Sequence, residues 1–253
     1  MSTAVLCIDA GNTRVKVALV DGDGVDPVGR EDTRDCDASS IAALIADVDP
    51  TSVRGCVVAS VVRGVGATVK SVVEDRLGLE TTVLTAEMPL GIGLRVPSPE
   101  TVGIDRLIIS SQAYAISKRD TVVVGVGTAV TVDAVTADGW YVGGTISPGL
   151  RTATWSLSER TSLLPEIEDF SLGAQLPSST AESIKMGVLV GTGGAIDGLI
   201  SDLSRRASLT DPDVMLTGGD AATLDPYVTR KHTVSEDLLM HGLGRIHALL
   251  GTH

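Results

Sequence analysis

Residues 7–16, which read CIDAGNTRVK, place an acid, a glycine and a polar turn between two apolar segments. The segment before Asp9 is continuously apolar, and the segment from Val15 alternates apolar and polar residues, which predicts two strands of a β-hairpin. A carboxylate at this place can hold Mg²⁺, usually through water, and Gly11 lets backbone N–H groups approach an anion closely. The stretch therefore predicts either a phosphate-binding hairpin or a plain turn between two core strands.

A second stretch, residues 122–133 (VVVGVGTAVTVD), repeats this pattern later in the chain. An apolar strand again meets a small-residue turn, here at Gly127 and Thr128, and an alternating strand leaves it. Thr128 stands 117 positions after Gly11. A single duplication of this length indicates two related domains rather than a solenoid of short repeats.

The remaining sequence alternates predicted strands and helices in both halves, which is typical of α/β architecture. Apolar periodicity predicts helices over residues 104–117, 179–206 and 236–250. The chain therefore divides into an N-terminal domain, residues 1–117, and a C-terminal domain, residues 118–253. We expect a nucleotide cleft between them, since clefts between domains are common ligand sites.

The composition limits the classes of partner. A net charge of −12 and 2% aromatic residues argue against nucleic-acid binding, which needs a basic surface and, for single strands, stacking platforms. The three cysteines show no metal-ligand spacing, which favours reduced thiols in a cytoplasmic protein. The sequence shows neither a signal-peptide pattern nor an apolar run of membrane-spanning length, so we expect no membrane partner.

Four motifs follow one another in a fixed order: DAGNTRVK at 9–16, GIDR at 103–106, GTAVTVD at 127–133 with GGTISPG at 143–149, and LTGGD at 216–220. In order and spacing they resemble the type III pantothenate kinases, members of the actin/Hsp70/sugar-kinase-like ATPase superfamily. The resemblance runs from about residue 4 to residue 250. It implies two similar ribonuclease-H-like domains and the ATP-dependent phosphorylation of pantothenate to 4'-phosphopantothenate, the first step of coenzyme A biosynthesis.

The resemblance also implies an ATP site on the glycine-rich turns. Asp9 would lie beside the Mg²⁺ ion and the phosphates, and the residues lining the phosphates and adenosine would be Gly11, Asn12, Thr13, Lys16, Gly127, Thr128, Gly218 and Gly219. Two simpler interpretations remain open: Lys16 as a solvent-facing strand lysine, and the paired glycines as a tight strand-to-helix turn. Family members also need a monovalent cation, K⁺ or NH₄⁺, and work as homodimers.

Asp105 is implied as the general base, because a carboxylate can accept the proton of the attacking hydroxyl in phosphoryl transfer. Arg106 would bind the pantothenate carboxylate, since its fork pairs two oxygens at once. Gly103, Val96 and Thr180 would complete the pantothenate pocket. The alternatives are a helix-start acid favoured by the helix dipole for Asp105, and an ordinary first residue of a long helix for Thr180.

Two positions depart from the family pattern. Gly125 stands where the second phosphate motif begins with an acid, and Val96 stands where the family often has a tyrosine. Asp133 follows the family pattern and is not expected to replace the missing acid. The departure at Gly125 leaves a second hypothesis open, a catalytically degenerate paralogue with a binding or regulatory role. A third is a kinase for another hydroxylated substrate, for which Arg106 favours one that carries a carboxylate.

Overall fold

The computed structural model describes residues 4–22 and 24–251, which form two compact units. Unit 1 comprises the described residues up to Ile116 together with those from Asp237 onward, and unit 2 comprises Ser117–Glu236. The predicted domain limits at residues 1 and 253 lie outside the described residues.

The strands are, in chain order, β1 (Ala4–Ala10), β2 (Arg14–Asp21), β3 (Gly24–Asp32), β4 (Val53–Ser60), β5 (Thr81–Val83), β6 (Gly93–Leu94), β7 (Thr121–Val126), β8 (Ala129–Val135), β9 (Trp140–Pro148), β10 (Asp213–Thr217) and β11 (Thr233–Val234). The α-helices are α1 (Ala38–Leu44), α2 (Val65–Leu77), α3 (Ile104–Ser117), α4 (Leu150–Arg160), α5 (Thr180–Arg206), α6 (Ala221–Leu224) and α7 (Leu238–Leu250).

The two units share one strand order. In unit 1 the order is β3-β2-β1-β4-β5, with β1, β2 and β3 antiparallel and β4 and β5 added in parallel. In unit 2 the order is β9-β8-β7-β10-β11, with the same antiparallel and parallel pairings. The duplication predicted from the two turns is therefore present in the connectivity of the sheets, and the predicted α/β class is confirmed.

Aliphatic side chains fill both cores. Leu6 and Ile8 of β1 are fully buried, and so are Val122 and Val124 of β7. The central strands are continuously apolar because helices cover both faces where parallel strands pair. In unit 1, α1 and α2 contribute core residues on one face, and α7 packs on β1, β2 and β4.

The unit to which α7 belongs differs from the domain to which the sequence analysis assigned it. The prediction assigned residues 237–250 to the second domain, but α7 completes the core of unit 1. Two glycines allow the close approach: a Cβ on Gly244 would lie 2.8 Å from Val20 Cγ1, and one on Gly55 would lie 2.6 Å from His247 Nε2. An amphipathic helix carries no local signal that tells which of two similar sheets it will cover, and so the prediction was wrong here.

In the described part of the chain, α5 is the one helix that is long and apolar enough to cross a membrane by length and composition. The sequence analysis expected no such segment. In the fold, Leu189, Ile196 and Ile200 of this helix belong to the core of unit 2. On another side of the helix, the Asp197 carboxylate accepts hydrogen bonds from Thr229. The helix is therefore an integral part of the folded unit.

Candidate functional site

The first predicted phosphate turn joins β1 to β2. The Gly11 N–H donates to the Arg14 carbonyl over 3.0 Å, which closes the turn. The Thr33 hydroxyl donates to the Gly11 carbonyl over 2.7 Å. Asn12 and Thr13 are exposed at the tip. The backbone of the turn is thus held from one side, while its tip remains accessible to a ligand.

Asp9 lies in β1 directly across from Lys16 in β2. Its carboxyl is half-buried, and burial raises its pKa to about 7. The positive charge of Lys16 opposes this rise, and the negative charge of Asp105 adds to it. Lys16 is exposed, as a solvent-facing strand lysine would be, and it lies opposite Asp9 in the hairpin. The two acids therefore lie close enough in unit 1 to influence each other.

Asp105 occupies the first turn of α3, where the Arg106 N–H donates to its Oδ1 over 2.8 Å. Burial raises the pKa of this carboxyl, while the hydrogen bond and the charge of Arg106 lower it. A Cβ on Gly103 would lie 2.5 Å from Asp105 Oδ1. Gly103 therefore keeps open the space that the Asp105 carboxylate occupies.

Two acids and two bases belong to this part of unit 1: Asp9, Asp105, Lys16 and Arg106. The acids can attract a bound cation, and the bases can attract a bound anion. Two neighbouring acids that are hard to ionise together favour a positively charged ligand between them. No group of three or more metal-ligating side chains occurs among the described residues. Mg²⁺ is commonly held by one or two carboxylates plus phosphate oxygens, so the pair fits this ion.

The remaining two predicted substrate residues lie in different units. Val96 is half-buried in a bend that follows β6 in unit 1. Thr180 is the exposed first residue of α5 in unit 2, where the Glu182 N–H donates to the Ser179 hydroxyl over 3.2 Å. The simpler interpretation of Thr180, as the start of a capped helix, describes its local structure.

The second predicted turn, between β7 and β8, is supported by the end of β9. The Gly127 N–H donates to the Ala129 carbonyl over 3.0 Å. The Thr128 carbonyl accepts from the Gly149 N–H over 3.0 Å and from the Thr152 hydroxyl over 2.6 Å. A Cβ on Gly149 would overlap the Gly127 carbonyl oxygen. The sequence analysis quoted the motif that ends at Gly149 but gave this residue no role, since the close contact is visible only in three dimensions.

The third turn, after β10, lies on the end of β7. Gly218 has a φ of +106°, and a Cβ there would overlap the Val126 carbonyl oxygen. The same carbonyl accepts from the Asp220 N–H over 3.3 Å. A Cβ on Gly219 would have no heavy atom within 4 Å, so this glycine faces open space. The second and third turns thus meet at one end of the unit 2 sheet and leave backbone accessible there.

Gly125 occupies the place in β7 that Asp9 occupies in β1, two residues before the turn glycine. Its neighbours in the sheet are Thr131 and Thr217. Asp133 is fully buried and accepts from the Tyr141 hydroxyl over 2.7 Å. The Asp133 carboxylate is therefore a core group and does not replace the missing acid at the turn.

Comparison with known proteins identifies the family. A family model for type III pantothenate kinase matches residues 5–202. A type III pantothenate kinase of Desulfatibacillum aliphaticivorans is 31% identical over 247 residues, which cover 94% of this chain and 96% of that protein. One of Thermus thermophilus is 31% identical over 250 residues, covering 96% and 98%.

Solved structures of other proteins show a similar fold. A Campylobacter jejuni protein described as a Baf family transcriptional activator has a TM-score of 0.63 at 18% identity, covering 98% of this chain and 100% of that one. An acetate kinase of Porphyromonas gingivalis has a TM-score of 0.53 at 12% identity, covering 90% and 86%. At these identities the likeness concerns the fold alone, which is that of actin-like ATPases and sugar kinases. By its sequence, the chain belongs to the type III pantothenate kinase family.

Proposed function

We propose that this protein transfers the γ-phosphoryl group of ATP to the primary hydroxyl of pantothenate, giving 4'-phosphopantothenate and ADP in the first step of coenzyme A biosynthesis. Family membership names the reaction. The observation that carries the assignment to residues is the pair of acids in unit 1: Asp9 and Asp105 influence each other electrostatically beside an accessible backbone turn.

Asp105 acts as the general base in this proposal. Phosphoryl transfer depends mainly on positioning and charge neutralisation, so the base need only orient the attacking hydroxyl and accept its proton late. Burial raises the pKa of Asp105, which brings it closer to the operating pH. Arg106 pairs with the carboxylate of pantothenate in a bidentate manner. Gly103, Val96 and Thr180 complete the substrate pocket.

The phosphates lie on the glycine turns. Asp9 would hold Mg²⁺, and the bound ion would supply positive charge that offsets the negative charge of the two carboxylates and of the phosphate oxygens. Backbone N–H groups at the turn glycines donate to phosphate oxygens, because glycine lets the main chain approach an anion closely. The residues assigned to this role are Gly11, Asn12, Thr13, Lys16, Gly127, Thr128, Gly218 and Gly219.

The intact backbone of the second turn is compatible with phosphate binding in an active enzyme. Gly125 removes a charge, but the backbone of the turn that follows keeps its hydrogen bonds to Ala129 and Gly149. The monovalent cation, K⁺ or NH₄⁺, that the family resemblance implies belongs to the same proposal, and Gly125 leaves the turn without a carboxylate that could help to hold it.

We further propose a homodimer formed through the exposed face of α5. Gly187, Gly191, Gly194 and Gly198 recur at helical spacing, and a Cβ on any of them would have no heavy atom within 4 Å. Val190 beside them is 51% exposed. A helix face without side chains allows a helix of a second copy to pack at short distance.

The expected location is the cytoplasm, in agreement with three free cysteines among the described residues.

The test is ATP-dependent phosphorylation of pantothenate with Mg²⁺, with and without K⁺ or NH₄⁺. The wild type is compared with Asp105→Asn and with Glu100→Gln, a control at an exposed acid near the start of the same helix. Loss of the general base should lower kcat by about 10²–10⁴-fold, while the control keeps wild-type turnover.

The substrate and the oligomer are tested in parallel. Pantothenol, which lacks the carboxylate, should be a poor substrate if Arg106 binds that group. Absence of pantothenate turnover in a folded protein that still binds ATP would establish the degenerate paralogue instead. For the dimer, Gly191→Leu should yield a monomer in size-exclusion chromatography with light scattering.

A further inference from the structure

The helix α7 packs between α3 and the sheet of unit 1. A Cβ on Gly242 would lie 2.6 Å from Ile108 Cγ2 of α3 and 3.1 Å from the Ile108 carbonyl oxygen. A Cβ on Gly244 would lie 2.8 Å from Val20 Cγ1 of β2. The two glycines therefore bring the backbone of α7 close to α3 on one side and close to the sheet on another.

Arg245 of α7 joins α3 to the loop over residues 84–92, which connects β5 to β6. Its Nε donates to Gln112 Oε1 of α3 over 2.8 Å. Its Nη2 donates to the Ser111 hydroxyl of α3 and, over 3.4 Å, to the Leu90 carbonyl of the loop. The Ser111 hydroxyl in turn donates to the same carbonyl. One side chain thus holds a loop and a helix together.

The loop bends directly against the guanidinium group. Gly91 has a φ of +85°, a conformation that residues with a side chain rarely adopt, and a Cβ there would lie 2.8 Å from Arg245 Nη1. The Leu90 side chain beside it is only 1% exposed and fixes this part of the loop in the interior of unit 1. The course of the loop is therefore adapted to the arginine that it contacts.

The three acceptors of Arg245 are neutral groups: an amide oxygen, a hydroxyl and a backbone carbonyl. Burial lowers the pKa of the guanidinium, as expected for a cation that leaves water for neutral partners. A buried charge in such surroundings contributes little to stability. The planar guanidinium instead holds several acceptors in one fixed geometry. The arrangement therefore favours a role in geometry over a role in stability.

Both segments that Arg245 contacts lead to residues assigned to the pantothenate pocket. Asp105 and Arg106 precede Ser111 on α3, and at 1.5 Å per residue Asp105 stands about 9 Å from Ser111 along the helix axis. Val96 follows Gly91 by five positions. A shift of the loop against α3 would therefore change the position of Val96 relative to Asp105 and Arg106.

We propose that Arg245 is a positioning residue of the kinase, which fixes the loop over residues 84–92 against α3 and so sets the geometry of the pantothenate pocket. Arg245 touches no substrate in this role and acts through the loop and the helix that it joins. The proposal rests on the proposed function, since it takes the start of α3 to bind pantothenate.

The experiment compares the wild type with Arg245→Gln, with Arg245→Lys, with Ser111→Ala and with the double variant Arg245→Gln/Ser111→Ala. It measures kcat and KM for pantothenate at saturating ATP, and it measures ADP binding separately by calorimetry. Ile246→Val is the control, because Ile246 is fully buried on the same helix. If the effects came only from looser packing of α7, the control would show them too.

Arg245→Gln should lower kcat/KM for pantothenate by about 10–100-fold, since a displacement of about 1 Å near reacting groups costs up to about 10²-fold. ADP binding should stay within about twofold of the wild type, because the acceptors of Arg245 lie on α3 and the loop and not on the glycine turns. Arg245→Lys should lose nearly as much, because lysine lacks the planar fork. The double variant should lose no more than Arg245→Gln alone, since both changes break one network.

Four results would overturn the positioning role. They are a change in kcat/KM for pantothenate of less than about threefold in Arg245→Gln, an equal loss of ADP binding, wild-type kinetics in Arg245→Lys, and losses in the two single variants that multiply in the double variant.

Hydrogen–deuterium exchange separates this proposal from the proposed function, since it needs no substrate. Peptides that cover residues 85–92 and 104–112 should exchange faster in Arg245→Gln than in the wild type, whereas Ile246→Val leaves both unchanged. Unchanged exchange in Arg245→Gln overturns the positioning role whether or not pantothenate is a substrate. If the wild type does not phosphorylate pantothenate, the kinase assignment fails, while faster exchange in both peptides still shows that Arg245 holds the loop on α3.

Discussion

Replacement of Asp9 by asparagine should stabilise the ligand-free protein while it removes activity. The asparagine side chain has nearly the shape of the aspartic acid side chain but stays neutral at every pH. In the folded protein, burial and the charge of Asp105 raise the pKa of Asp9 from 3.8 to about 7. Ionised Asp9 therefore opposes folding, and Asp9→Asn removes that penalty.

The magnitude follows from the rise of the Asp9 pKa from 3.8 to about 7, since a tenfold change in proton affinity corresponds to about 1.36 kcal/mol. The upper limit is therefore about 4 kcal/mol, and because the carboxyl is only half-buried we expect about 2–4 kcal/mol. The sign is set by proton binding: between pH 4 and pH 7 the folded state binds more protons at Asp9 than the unfolded state does. Stability of the wild type therefore falls as the pH rises through this window, relative to the variant.

The assay is urea unfolding at pH 5 and pH 8 in the absence of Mg²⁺ and nucleotide. The stability difference between Asp9→Asn and the wild type should be larger at pH 8 than at pH 5. Asp26→Asn, at an exposed acid of β3 in the same sheet, is the matched control and should show no such change. Added Mg²⁺ should narrow the difference at pH 8, since a ligand that binds only the folded carboxylate stabilises the wild type.

The electrostatic reasoning would be refuted if Asp9→Asn lowered stability at pH 8, or if its effect were the same at both pH values. If Asp9→Asn is more stable than the wild type and has no turnover, then Asp9 contributes to activity and lowers stability. Such a trade-off is common at functional sites.

Three further changes probe other parts of the structure. Gly103→Ala should move the Asp105 carboxylate and lower kcat by about 10²-fold with little change in melting temperature, since a displacement of about 1 Å at a reacting group has that effect; steady-state kinetics and calorimetry check it. Gly149→Ala should push the second turn away, lower stability by about 1–3 kcal/mol and raise the KM for ATP, and unchanged values of both would contradict the steric argument. Burial lowers the pKa of His247, so on acidification the unfolded protein binds a proton at this residue at a higher pH than the folded protein does. The free energy of unfolding should therefore fall as the pH drops below about 6.5. In thermal melts between pH 7 and pH 5, His247→Gln should lose less stability than the wild type.

Local sequence signals predicted the elements well where punctuation residues mark their ends. A glycine after an apolar helical segment is a common stop signal, and α2 ends in this way before Gly78, which lies in the left-handed region at φ 65°. The two hairpins follow from the glycine and the polar residues of their turns, which are typical turn formers, and in the first hairpin an acid precedes the turn. The residues around Asp9 and Gly127 could therefore be recognised from sequence alone.

Features that depend on distant residues could not be predicted in this way. Asp9 and Asp105 influence each other although 96 positions separate them, and only the family resemblance suggested a shared role. A cleft in unit 2 lined by Arg151, Phe170 and Tyr227 carries no sequence motif, because these residues come from three separate segments of the chain. The assignment of α7 failed for the same reason: its amphipathic pattern fits either sheet.

The discontinuity of unit 1 has a consequence for biosynthesis. Unit 2 is one continuous segment, Ser117–Glu236, whereas unit 1 needs α7 from the end of the chain to cover β1, β2 and β4. During synthesis the later-made unit can therefore finish folding first, while the first sheet waits with an apolar face uncovered. This order makes the nascent first unit the natural target for chaperones, and it makes loss of the last helix more damaging than its position in the sequence suggests.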